Sequence, residues 1–143
     1  MYKKVLVCYD GSDGSKPPLA RAVVLTQLYG ASLTMVWVRP PMPYHILALD
    51  QDEKADDVVA DEYFENLKQQ AVDMAASQCL QIECVMLYGD AAHEIVQFAE
   101  KKHFDLIIVG QAGHSDIISR MLGQTADRIS ETAKCDVLIV RRS

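Results

Sequence analysis

The chain has 143 residues, half of them apolar, with a formal net charge of −6 and a pI near 5.1. That length fits one domain of ordinary size with a sizeable core and is too short for two comfortable ones. The acidic balance leaves no footprint for duplex nucleic acid or an anionic membrane surface, and no apolar run approaches the ~18 residues of a membrane span.

The N-terminus reads MYKKVLVCYD, and Val5–Cys8 is expected to be a strand. It does not read as a signal peptide, because it lacks a long apolar region and a small-residue cleavage site, and an acid ends the run. Residues Ser15 to Tyr29 have helical spacing. Ser15 stands at the N-cap position, Pro17 and Pro18 in the first turn, and Gly30 where a C-terminal cap belongs. Leu33 to Val38 is a second strand. From Arg39 to Glu53 no periodicity is visible and three prolines stiffen the start, which predicts a surface loop or a lid.

A long helix follows, roughly Ala55 to Ser77, with Ala60, Phe64, Leu67, Ala71 and Met74 recurring every three or four residues. Its acidic beginning, DQDEKADD, suits the positive end of a helix dipole. The third strand, Ile82 to Leu87, carries Gln81 and Glu83 at its start and reads as a sheet edge. Ala92, Ile95, Val96 and Ala99 mark one face of a helix from Ala91 to Lys102. Leu106 to Val109 is a continuously apolar strand. A last helix runs from near Gly123 to near Lys134, and Val137 to Val140 is the fifth strand.

Strict alternation of strand and helix means parallel pairing through crossovers. The expected fold is therefore a single α/β domain over residues 1–143: an open five-stranded parallel sheet, order 3-2-1-4-5, with helices on both faces. The order itself rests on fold-level analogy. Cys8, Cys79, Cys84 and Cys135 show neither a C-x-x-C pair nor metal spacing and read as buried free thiols of a reducing cytoplasm. No two of His45, His93, His103 and His114 stand at i,i+4, so no zinc site is expected.

In such a sheet ligands bind beyond the carboxyl ends of the strands, at the switch of strand order. Here that is the crevice between strands 1 and 4. Strand 1 runs into Tyr9-Asp10-Gly11-Ser12, and strand 4 into the stretch GQAGHSDIISRMLGQT, residues 110–125. Gly110 and Gly113 lack Cβ atoms, so backbone N–H groups can approach a ligand closely and take positive φ. Gly123 precedes the last helix, whose free N–H groups form an anion site. Asp10 could accept hydrogen bonds from ribose hydroxyls or adenine. His114 and Asp116 read as an exposed loop pair. No G-x-x-x-x-G-K-[ST] lysine is present and no residue is a clear base, so nothing here assigns a vigorous enzyme.

Three stretches together resemble the universal stress protein family: MYKKVLVCYDGSDGS, then GDAAHEIVQFAEKKHFDLIIVGQAGHSDIISRMLGQT, then AKCDVLIV. The resemblance covers nearly the whole chain apart from Arg39 to Glu53. Nucleotide-binding members carry Gly, two residues, Gly, nine residues, Gly, then Ser or Thr, and Gly110, Gly113 and Gly123 match that spacing. The resemblance implies ATP, with or without magnesium, in the crevice. It implies that Asp10, between Tyr9 and Gly11, touches ribose or base and that Val38 meets adenine through its backbone. Gly110, Gly113 and the start of the last helix, at Gly123, Gln124 and Thr125, would hold the phosphates. Gln124 departs from the pattern, which has a hydroxyl there, and Thr125 brings one a position late.

The function expected is a cytoplasmic stress-response protein acting by nucleotide binding and conformational signalling. The alternative is an interaction module with a decayed nucleotide site. A phospho-accepting receiver fits poorly, since Asp10 and Asp13 are three apart, Asp90 comes only after Gly89, and Arg141-Arg142 stands where a lysine is needed. Strand 5 is a sheet edge that is apolar on both faces. Val137, Leu138, Ile139 and Val140 are therefore expected to pair with a second copy in a homodimer, as the resemblance also implies.

Overall fold

Short apolar strands separated by amphipathic helices bury both faces of a sheet when the strands are parallel and the helices divide between the faces. The computed structural model describes residues 1–40, 53–111 and 124–141 and has this arrangement. In chain order the elements are β1 (Lys4–Cys8), a short 3-10 turn (Asp13–Ser15), α1 (Lys16–Tyr29), β2 (Ser32–Arg39), α2 (Glu53–Ala76), β3 (Ile82–Tyr88), α3 (Ala91–Lys101), β4 (Leu106–Gly110), α4 (Gln124–Thr132) and β5 (Asp136–Val140). Every pairing is parallel, and the order is β3-β2-β1-β4-β5, as expected. Val5, Leu6 and Val7 of β1 stand opposite Leu33, Thr34 and Met35 on one side and Leu106, Ile107 and Ile108 on the other.

Side chains alternate between two cores. Val5, Val7, Leu33, Met35, Trp37, Leu106 and Ile108 pack under Leu19, Ala22 and Val23 of α1 and Leu67, Ala71 and Ala75 of α2. Leu6, Val36, Ile107 and Val109 meet Ala92, Ile95, Val96 and Ala99 of α3 and Ala126 and Ile129 of α4. This is why β1 and β4 are continuously apolar. The edge strand β3 is half-buried or exposed along its whole length, as Glu83 foretold.

Most boundaries fall within a residue or two of expectation. Gly30 ends α1 at φ 63, with the Ala31 N–H on the Thr26 carbonyl at 3.0 Å. The helices α2 and α3 lack that glycine signal. Left-handed turns after them are made by Cys79 (φ 56) and His103 (φ 61), and α4 stops at Thr132, short of Lys134.

Two expectations need correction. Ser15 holds the N-cap position of α1 without capping it. Its hydroxyl donates to the Ser12 carbonyl at 2.9 Å and accepts from the Asp10 N–H at 3.4 Å, because the 3-10 turn before α1 bends that side chain back. The cysteines are free, but Cys79 is exposed and Cys84 and Cys135 are only half-buried. Among the described residues no helix is long and apolar enough to cross a membrane.

Candidate functional site

The crevice exists because β1 stops before its neighbours. The Tyr9 N–H donates to the Val36 carbonyl at 3.0 Å, and the chain then leaves the sheet. In a parallel strand each residue turns its N–H and C=O to one side, and successive residues alternate. The Val36 carbonyl points to the β1 side, whereas the Arg39 carbonyl accepts from Gly89 N–H at 3.2 Å on the β3 side. The backbone groups of Val38 therefore face the space that β1 has vacated. On the other flank the Gln111 N–H donates to the Val140 carbonyl of β5 at 3.1 Å. By the same alternation Gly110 turns its own N–H and C=O toward the β1 side. Two strands thus present backbone donors and acceptors to one gap, with the Asp10–Gly11 turn at its base.

That turn is tightly specified. One oxygen of Asp10, Oδ1, accepts from the Ser12 N–H at 2.9 Å and from the Ser12 hydroxyl at 2.6 Å, an Asx turn. Gly11 has φ 84, and a Cβ there would lie 2.8 Å from both Leu67 Cδ2 and the Tyr63 hydroxyl. The backbone conformation favours glycine there, and a side chain would also have to displace the ends of Leu67 and Tyr63.

Gly110 does not take the positive φ expected of it. The described glycines with positive φ are Gly11, Gly30 and Gly89, and Gly110 is not among them. A Cβ on Gly110 would lie 2.6 Å from the Gly14 carbonyl oxygen and 3.1 Å from Pro18 Cγ. Its missing side chain lets the end of β4 pack against the turn before α1. Gly113, Gly123, His114 and Asp116 lie outside the described residues, as does most of the segment from Arg39 to Glu53. At the start of α4, Gln124 is exposed and Thr125 half-buried. The first-turn N–H groups there are free of helical partners, although the acidic Asp127 shares that turn.

Tyr9 contributes main chain rather than ring. Its side chain is 3% exposed, and its hydroxyl donates to Gln70 Oε1 on α2. Residues that the sequence reading did not assign to the site complete the surroundings. The Tyr63 hydroxyl donates to the Asp10 carbonyl, and its ring lies 5.0 Å from that of Trp37. No local pattern marks Tyr63, since its partner is 53 positions away.

Burial, with the Asp10 charge adding to it, pushes the Cys8 thiol up to about 12. Cys8 is therefore a thiol at neutral pH and no nucleophile. Burial also raises the Tyr9 and Tyr63 hydroxyls, which keeps both as donors. Among the described residues no three metal-ligating side chains cluster.

A second unassigned pair steadies the flank. Asp90 caps α3 by accepting from the His93 N–H at 3.0 Å. It also takes two bonds from Arg128 of α4, at 2.9 and 2.8 Å. Arg128 first, and the His93 N–H second, hold the Asp90 carboxyl below its usual range. A groove of about 920 Å³ opens elsewhere, around the amino ends of the strands, lined in part by Lys4, Leu80, Glu83 and Phe104. None of the crevice residues lines it.

Known proteins share both sequence and architecture with this chain. A universal stress protein MJ0531 from Methanocaldococcus jannaschii is 33% identical over 143 residues, covering 99% of this chain and 84% of that protein. The solved structure of a universal stress protein in complex with cAMP is 29% identical, with a TM-score of 0.77 and 99% of each chain covered. The structure of hypothetical protein MJ0577 superposes with a TM-score of 0.85 at 22% identity, over 100% of this chain and 98% of that one, and shows the same fold. The description of the universal stress protein family matches residues 1–141, and the chain belongs to that family.

Proposed function

We propose that the protein binds an adenine nucleotide, ATP foremost, in the crevice where β1 ends, and acts by binding and conformational signalling in a cytoplasmic stress response. One observation carries this reading: Val38 and Gly110 turn backbone hydrogen-bonding groups into the same gap, above the Asp10–Gly11 turn. The Val38 groups suit an adenine edge, Asp10 a ribose or base, and Gly110 with Gly113 and the start of α4 at Gly123, Gln124 and Thr125 the phosphates. The similar protein with cAMP bound supports an adenine nucleotide as the ligand class. Magnesium would accompany ATP phosphates. The acting unit is a homodimer joined through β5.

Calorimetric titration with ATP and with cAMP, with and without magnesium, tests the reading. Wild type should bind, and ATP at ~100 times its dissociation constant should stabilise the fold by about 2.7 kcal/mol. Asp10→Ala should weaken binding by about 1–3 kcal/mol. Gly113→Val should abolish ATP binding with the fold intact, because a side chain there blocks close backbone approach. Gln124→Ser should bind equally or more tightly. If wild type binds neither nucleotide at millimolar concentration, the site has decayed and the protein is an interaction module.

A further inference from the structure

Three residues of α2 grip the end of β1. Tyr63, Leu67 and Gln70 are spaced by four and three, so they share one helix face. The Tyr63 hydroxyl donates to the Asp10 carbonyl, and Gln70 accepts from the Tyr9 hydroxyl. Leu67 Cδ2 sits against Gly11, where even a Cβ would approach it to 2.8 Å. Leu67 is buried, as a core residue should be, whereas Tyr63 is 42% exposed. Packing alone explains Leu67. It does not explain a half-exposed phenol aimed at a main-chain carbonyl beside the proposed ligand.

We propose that Tyr63 is a positioning residue for the nucleotide site: from α2 it holds the Asp10–Gly11 turn in the form that presents Asp10 to the crevice, and so couples ligand binding to α2. This inference rests on the nucleotide reading above. The coupling follows from the bond itself. A ligand that tightens the Asp10 turn also favours the Tyr63 contact, and loss of that contact lowers ligand affinity by the same factor. Trp37, the sole tryptophan, packs 5.0 Å from the Tyr63 ring and 6.5 Å from that of Phe64, so its emission reports on this helix face.

The test is Tyr63→Phe, which keeps the ring beside Trp37 and removes only the hydroxyl. Without ligand, amide exchange at Asp10 and Ser12, whose N–H groups are hydrogen-bonded in the turn, should quicken about three- to tenfold, as one lost hydrogen bond allows. ATP affinity should fall by a similar factor in the wild-type background. In the Asp10→Ala background the same substitution should change affinity little, because the group being positioned is gone. A merely structural tyrosine would weaken binding equally in both backgrounds, and that result overturns the proposal. So does unchanged exchange together with unchanged affinity. Should the variant bind poorly because it is unstable, the exchange quickening would spread across β1 and β2 instead of staying at the turn, which also counts against positioning. Wild type that binds no nucleotide removes the functional reading, and this inference with it; wild type that binds while Tyr63→Phe is silent removes this inference alone.

Discussion

Single residues decide the geometry at the end of β1. Gly110 sits where a Cβ would press to 2.6 Å on the Gly14 carbonyl, a backbone atom with no side-chain freedom to yield. Gly110→Ala should therefore destabilise the protein by about 1–3 kcal/mol, the usual cost of overpacking. Denaturant unfolding measures it, and an unchanged midpoint would refute the close-approach argument. At Gly11 the neighbouring Leu67 and Tyr63 atoms are side-chain ends and can shift, yet φ 84 is strained for any L residue. These two glycines thus serve different ends, one the packing of two backbones and the other a left-handed turn. Neither role requires a ligand to be present.

At the scale of elements, the Asp90–Arg128 pair joins the start of α3 to α4. Asp90 is held low by Arg128 and by the His93 N–H, so its carboxylate is favoured in the folded state. A depressed carboxylate contributes stability above its unfolded value, near 3.9, and that contribution is lost as pH falls through the lower folded value. Thermal melts of wild type should therefore lose stability as pH drops below about 4. Asp90→Asn keeps a good N-cap residue while removing the charge. Its melting temperature should be lower than wild type at pH 7 and fall less steeply in acid. Parallel curves for the two proteins would show that the pair is only a surface contact. Both side chains are 52% exposed, so high salt should narrow the difference. The pair also bears on the site, because Arg128 lies four residues beyond Gln124 and steadies the helix whose first turn is proposed to meet phosphate.

At the scale of the whole molecule, the two edges of the described sheet differ in chemistry. The β3 edge carries Glu83, exposed at its start. The β5 edge is Val137, Leu138, Ile139 and Val140, with alternate residues packed on the two cores. Its first three apolar residues are only half-buried. An apolar edge invites pairing with another strand, which is why we propose a dimer there. Light scattering at micromolar concentration should give twice the 15.9 kDa chain mass. Ile139→Lys should shift it to one chain mass while circular dichroism keeps the α/β signature. A wild-type monomer would defeat the proposal.

The order of elements, the parallel sheet, the helix faces and the edge character of β3 were legible in the residues, because hydrophobic period and glycine or proline punctuation are local properties. Val5–Cys8 and Leu106–Val109 announced themselves as central strands by having no polar alternation. The Asp10-Gly11 and Gly110 turns were legible as a candidate site for the same reason, together with the switch point that the topology implies. What only the tertiary structure decided are contacts between residues far apart in the chain. Examples are Tyr63 on Asp10, Gln70 on Tyr9, Arg128 on Asp90, and the Gly14 carbonyl that fixes Gly110. Periodicity shows which face of α2 is apolar. It does not show which half-exposed residue on that helix reaches the end of β1, because that depends on how the helix lies across the sheet, a matter settled by the packing of two cores at once.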